Sequence, residues 1–241
     1  MKRNPYRFHY HFQFPDNSTK EYLIALDPNS LSLLRDDMDR EPAPWTRLVF
    51  EQCKCCPLTP DIHPWCPIAL NIMELVHSFK DLFSYHDCSV TCEAAERSYT
   101  KRTSVMEGLS AIFGVIMATS DCPVMEFLKP MARFHLPLAS SDETLYRIVS
   151  MYALSGFLRM RRGQRIDSSF DELFHRFQSM RVVNRAMAER LKVADEEGST
   201  VNGIILLDYT AQLLPVSLNE EIDQLERLFH GYLEHPGPRS H

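Results

Sequence analysis

No stretch of the 241-residue chain approaches the roughly eighteen consecutive apolar residues that a membrane-spanning helix requires, so no span is expected. The N-terminal MKRNPYRFHYHF alternates polar and aromatic residues and lacks the apolar core of a signal peptide. The signatures G-x-S-x-G, H-E-x-x-H, the P-loop and G-x-G-x-x-G are missing, which removes the usual entry points to a reaction mechanism. Repeats and low-complexity segments are absent too. A net charge of −6 argues against a general nucleic-acid binder, local basic patches apart. Seven cysteines, an odd number, argue against a disulfide framework and lead us to expect a reducing cytoplasm.

What the chain does have is a crowded loop, EQCKCCPLTPDIHPWCPIALN at 51–71. Cys53 and Cys56 stand at the C-x-x-C spacing from which two thiolates can face one tetrahedral ion, and Cys66 is near enough to return as a third ligand. Cys66-Pro67 and Cys122-Pro123 each open an apolar-periodic segment. Proline suits the first position of a helix, so both cysteines are expected at or near N-caps, where the helix end favours a thiolate. Cys53, Cys56, Cys66 and Cys122 then form a candidate four-sulfur site, with zinc as the natural occupant and iron or an iron–sulfur cluster as the alternative. Buried free thiols and a redox or reactive role are the competing readings. Cys55 is the spare thiol, and His63 is the substitute ligand if Cys122 is remote.

Hydrophobic periodicity predicts an α+β fold, an N-terminal antiparallel sheet of about four strands against a predominantly helical C-terminal half. Residues 1–241 are expected as a single domain, with a sheet-rich part to 104, a helical part over 105–234 and a loose tail at 235–241. The expected strands are Tyr6 to Phe14, Glu21 to Asp27, Trp45 to Gln52 and Ser89 to Tyr99, with a short helical turn between Pro28 and Leu34. Helices are expected over 67–83, 105–119, 123–134 (broken at Pro130), 142–160, 171–193, 201–214 (closed by Pro215) and 219–233. Gly108 and Gly114 suggest close packing of the second of these, and Cys88 and Cys92 read as structural thiols. His9 and His11 share one polar strand face, where solvated residues are a better reading than ligands because no third ligand is near in sequence. The basic run Arg159, Arg161, Arg162 and Arg165 reads as cations at a helix C-terminus.

A second constellation, Arg97, Tyr99, Lys101, Arg133, His135 and Arg147, is positioned to converge on an anion through charge-assisted hydrogen bonds. The plainer alternative is that these residues pair with Glu96, Glu107, Asp142 and Glu143. Three function classes stay open. One is a metal-stabilised protein that binds a partner or small anionic ligand without catalysis. The others are an enzyme acting on an anionic substrate through the Arg/His cluster, and an iron–sulfur redox protein.

The segments EQCKCCPL (51–58), CPIALN (66–71), ERSYTKRTS (96–104), GLSAIFGVIMATSDCP (108–123), PMARFHLPLAS (130–140), ETLYRIVSMYAL (143–154) and NGIILLDYTA (202–211) together resemble an uncharacterised bacterial family known as a domain of unknown function. The resemblance spans most of the chain. The family's cysteine pattern maps onto Cys53, Cys56, Cys66 and Cys122, and the chain departs from it in the extra Cys55, Cys88 and Cys92. The resemblance implies one fold and a metal site, and it carries no activity.

Overall fold

The alternating aromatic residues at the start of the chain form the strand their spacing implies. In the computed structural model, which describes residues 4–35, 41–167, 169–194 and 199–234 (side chains of 199, 210 and 213–225 excepted), β1 is Tyr6–Gln13. It buries Phe8, Tyr10 and Phe12 and turns His9 and His11 to the opposite face. Asp16 accepts from the Ser18 amide at 2.9 Å and Asn17 takes φ 67°, so the chain reverses into β2, Thr19–Leu26. β3 (Asp87–Ala94) pairs antiparallel with the other edge of β1, and β4 (Ser98–Ser104) completes the order β2-β1-β3-β4.

The sheet is the expected four-stranded antiparallel one, with two of its members drawn differently. Ser89 to Tyr99 is not one strand but the β3–β4 hairpin, reversed where the Ala94 amide donates to the Arg97 carbonyl at 2.9 Å. Trp45 to Gln52 is no strand. It is a 3-10 turn over Pro44–Thr46 followed by irregular backbone with a single bridge between Arg47 and Trp65. Its carbonyls find a guanidinium instead of a neighbouring strand, as described below. Pro28 to Leu34 is likewise a turn, held by the Asp27 carboxylate on the Asn29 and Ser30 amides, not a helix.

The helices are α1 (Pro67–Phe79), α2 (Val105–Thr119), α3 (Lys129–Arg133), α4 (Ser141–Arg161), α5 (Asp171–Ala194), α6 (Ser199–Leu228) and α7 (His230–Leu233). Ser140 and Glu143 close a reciprocal capping box at the start of α4. The segment 123–134 is only a 3-10 turn (Glu126–Leu128) and the short α3, whose second residue is Pro130; a proline in a first turn costs no hydrogen bond, so it does not break the helix there. α6 continues through Pro215, where the sequence suggests a stop. The expected helix end at 195–198 and the tail at 235–241 lie outside the described residues. Arg159, in the last turn of α4, forks onto Glu172 in the first turn of α5 at 2.6 and 2.8 Å.

The inner sheet face packs on α2 and, through Phe12 against Phe79, on α1; α2 packs on α6, and α6 on α5, so one core runs from Phe8 on the sheet to Leu191 on α5. At Gly108 a Cβ would lie 2.4 Å from the ring of Phe12, which is fully buried. Gly108→Ala is therefore expected to destabilise by about 1–3 kcal/mol in urea unfolding. Gly114→Ala meets nothing nearer than Leu207 at 3.9 Å and is expected to be neutral or to stabilise by up to ~1 kcal/mol. Equal effects at both positions would refute this reading of α2. No helix among the described residues is long and apolar enough to cross a membrane.

Candidate functional site

Cys66 is the N-cap of α1 with Pro67 in its first turn, and its amide donates to the Thr46 carbonyl at 2.9 Å. Cys53 and Cys56 lie across a tight turn, the Cys56 amide on the Cys53 carbonyl at 2.9 Å. Cys122 opens the turn ahead of α3, its carbonyl accepting from Met125 and Glu126. Three separate segments thus deliver four thiols to one neighbourhood. Cys53 feels Cys66, Cys55, Cys56 and Cys122 electrostatically, and Cys122 feels Cys66 and Cys56. The sulfurs do not stand at ligand spacing. Among the described residues the one trio of His, Cys or carboxylate ligand atoms all within 4.8 Å is His9, His11 and Glu21. Cys55 turns away, its Sγ on the Ser179 carbonyl of α5 at 3.6 Å, and His63 is exposed.

The helix-end argument for a depressed thiol pKa is outweighed. Burial pushes Cys53 up to about 12 and Cys122 up to about 11, although the Val124 and Met125 amides pull Cys122 the other way. Burial raises Cys66 against the Ala69 and Ile68 amides and the Arg190 guanidinium. Without a metal these are protonated thiols in a dry setting. The amides and the cation around them are what thiolates would need.

Arg190 is the residue that sequence reasoning missed. It is fully buried and donates to the carbonyls of Trp45 (2.7 Å), Arg47 (2.8 Å) and Leu48 (3.1 Å), while its Nε finds no partner. Among the described residues no carboxylate lies within 4.0 Å of it, and its neighbouring ionisable groups are Cys66, Cys53, Glu51 and Cys56. The signal in the sequence was an arginine on the apolar stripe of α5, three residues after Met187 and seven after Val183.

A second feature is a cavity of about 730 Å³ between α2, the 128–141 segment, α4 and α6. Its walls are mostly apolar, Val115, Leu128, Leu145, Ile148 and Leu207 among them. Lys101, His135 and Arg147 of the expected anion cluster line it, and Tyr99 stands within electrostatic reach of Arg147. The other two arginines go elsewhere. Arg97 is in the β3–β4 hairpin beside Glu96 at 3.7 Å, and Arg133 stacks on Tyr6 with its guanidinium carbon 3.7 Å from the ring centre.

Within the cavity the charges are unequal. Lys101 is paired with Glu107 at 3.1 Å. His135 bonds through Nε2 to the Tyr10 hydroxyl, and burial together with the Arg147 charge pushes its pKa down to about 3, so it is a neutral hydrogen-bonding group. Arg147 donates to the carbonyls of Met131 (3.0 Å) and Phe134 (2.8 Å) and has no carboxylate within 4.0 Å among the described residues. A histidine held neutral in the fold must charge when the chain unfolds in acid. Its contribution is whole above the usual value of 6.5 and is lost as pH falls towards about 3. His135→Gln is expected to flatten the pH dependence of stability over that interval in denaturant titrations; an unchanged slope would show that His135 titrates normally.

Compared with known proteins, residues 8–230 match the model of one protein family, Domain of unknown function (DUF6901). No curated protein and no solved structure matches the chain.

Proposed function

The chain belongs to the DUF6901 family, whose function is unknown, and from that premise we propose that it is a cytoplasmic binding protein for a small amphipathic anion, stabilised by a metal at Cys53, Cys56, Cys66 and Cys122. The observation that carries the ligand reading is the cavity: its volume falls in the ~300–1,000 Å³ range of small-molecule sites, its walls are mostly apolar, and its cation Arg147 has no carboxylate within 4.0 Å among the described residues, with Glu143 acting on it only at longer range. An apolar ligand body would fill the cavity between α2 and α6, and an anionic head would meet Arg147, with His135 and the Lys101–Glu107 pair beside it.

The cysteine cluster supports the metal part through its chemistry. An all-sulfur donor set suits zinc first and iron or an iron–sulfur cluster second. A divalent ion held by four thiolates is a net anion, and Arg190 is a buried cation with an unused donor beside those sulfurs. Side-chain rotation would have to close the sulfurs to coordination distance. The role fitted by such a site is structural, tying the 51–66 loop to the Cys122 turn.

Decanoate serves as a probe, with decylamine as the charge-reversed control, in thermal shift and calorimetry. Decanoate is expected to raise the melting temperature and bind saturably, Arg147→Gln to weaken it about tenfold or more, and Ala111→Phe, which fills the cavity, to abolish it. Equal binding of the two probes, or binding untouched by Ala111→Phe, would refute the proposal.

A further inference from the structure

The outer face of the sheet carries a group of ligands that no catalytic or cysteine-site argument uses. Register brings it together. His11 of β1 stands directly across from Glu21 of β2, and His9 of β1 directly across from Glu93 of β3. The two histidines, two residues apart, share the face, with ring centres 3.9 Å apart. Glu21 bridges both, with oxygens 3.2 Å from His9 Nε2 and 3.1 Å from His11 Nδ1, and Glu93 approaches His11 Nε2 to 3.6 Å. One ligand atom from each of His9, His11 and Glu21 lies within 4.8 Å of the other two.

We propose that His9, His11 and Glu21 form a divalent transition-metal site on this face, with Glu93 as a fourth or outer ligand. A network of ordinary imidazole–carboxylate pairs accounts for less of the geometry. In the tautomer whose Nδ1–H donates to Glu21 at 3.1 Å, His11 Nε2 carries the lone pair, and that nitrogen is shielded from solvent without a hydrogen-bond partner, open to an ion. Three strands fix the positions of the ligands, so only side-chain torsions must adjust to bring nitrogen and oxygen to the ~2.0–2.2 Å that such ions require. Imidazole with carboxylate selects zinc, nickel, cobalt or iron(II) over calcium and magnesium, which prefer all-oxygen shells. Three protein ligands on an open face leave coordination positions free for water or a group from another molecule. This differs from the cysteine cluster, whose four sulfurs would close the shell.

Nickel(II) separates the two sites, because its binding to an imidazole pair can be read without disturbing zinc already held by thiolates. The full chain, purified with added zinc and freed of excess ion, is titrated with Ni²⁺ by calorimetry as wild type, His9→Gln, His11→Gln and Glu21→Gln. One equivalent is expected in the wild type. Outer partners of metal sites are worth about 10–100-fold in affinity, so loss of either histidine is expected to weaken binding by at least that factor, with a smaller loss for Glu21→Gln, where Glu93 substitutes. As a readout independent of any variant, substoichiometric Ni²⁺ is expected to broaden the amide resonances of Leu23, Thr91 and Glu93. Absence of saturable binding, full affinity in the two histidine variants, or broadening confined to the cysteine loop would overturn the proposal.

Discussion

Replacing Arg190 with methionine is expected to lower the unfolding free energy by about 2–5 kcal/mol, because buried backbone carbonyls lose a charged donor. The carbonyls of Trp45, Arg47 and Leu48 belong to backbone that has no neighbouring strand, and Arg190 does for them what a β-ladder would. Methionine replaces the aliphatic stem but takes the guanidinium from the buried Trp45 and Leu48 carbonyls, each costing about 1–3 kcal/mol if water cannot reach it, while the Arg47 carbonyl keeps its bond from the Phe50 amide at 3.1 Å. Arg190→Lys keeps the charge and loses the fork, so an intermediate loss is expected. The segment concerned leads straight into the Cys53–Cys66 loop, and under the metal proposal both variants also retain less metal. Urea unfolding of the three proteins decides the matter. A loss under about 1 kcal/mol for Arg190→Met would mean that water reaches those carbonyls and that the guanidinium is no structural centre.

Under the metal proposal, changing any one of Cys53, Cys56, Cys66 or Cys122 to serine is expected to leave the protein without metal and without most of the cooperativity of unfolding. Structural zinc in small sites contributes on the order of 10 kcal/mol of folding free energy, more than the whole stability of many domains. Cys55→Ser and Cys88→Ser are expected to keep both metal and cooperativity, since Cys55 faces Ser179 and Cys88 faces the core from β3. Elemental analysis of anaerobically purified protein, run beside each unfolding curve, separates the outcomes. About one zinc per chain fits the proposal, while a brown protein with iron and sulfide would replace zinc by a cluster. Metal that survives Cys122→Ser, or no metal in the wild type, would sink the four-sulfur site and leave buried thiols of the kind that burial already holds protonated.

The anion cluster shows how far side-chain chemistry can be read without coordinates. Six residues were candidates, and three of them, Lys101, His135 and Arg147, line one cavity. The pairing alternative holds for Lys101 with Glu107 and Arg97 with Glu96, while Arg147 caps carbonyls and feels Glu143 without touching it. Arg133 shows a third fate, a cation stacked on an aromatic ring, and nothing in its sequence neighbourhood indicates Tyr6.

By itself the sequence determined those parts of the protein that depend on neighbours along the chain. Alternation of aromatic and polar residues made β1, Ser140 with Glu143 capped α4, Cys66-Pro67 opened α1, and apolar stripes placed α2 and α5 within a residue of where they lie. Each of these rests on a period or a contact spanning a few residues, so local composition is enough to specify it. Tertiary structure alone decided what requires groups distant in sequence to meet. Trp45 to Gln52 has the composition of a strand but no edge to join, and Arg190, more than 140 positions later, satisfies its carbonyls. Thiols at helix starts read as activated until the core closes over them and the cost of burying charge exceeds the pull of the helix end. His9 and His11 lacked a third ligand in sequence and gained Glu21 from the strand beside them.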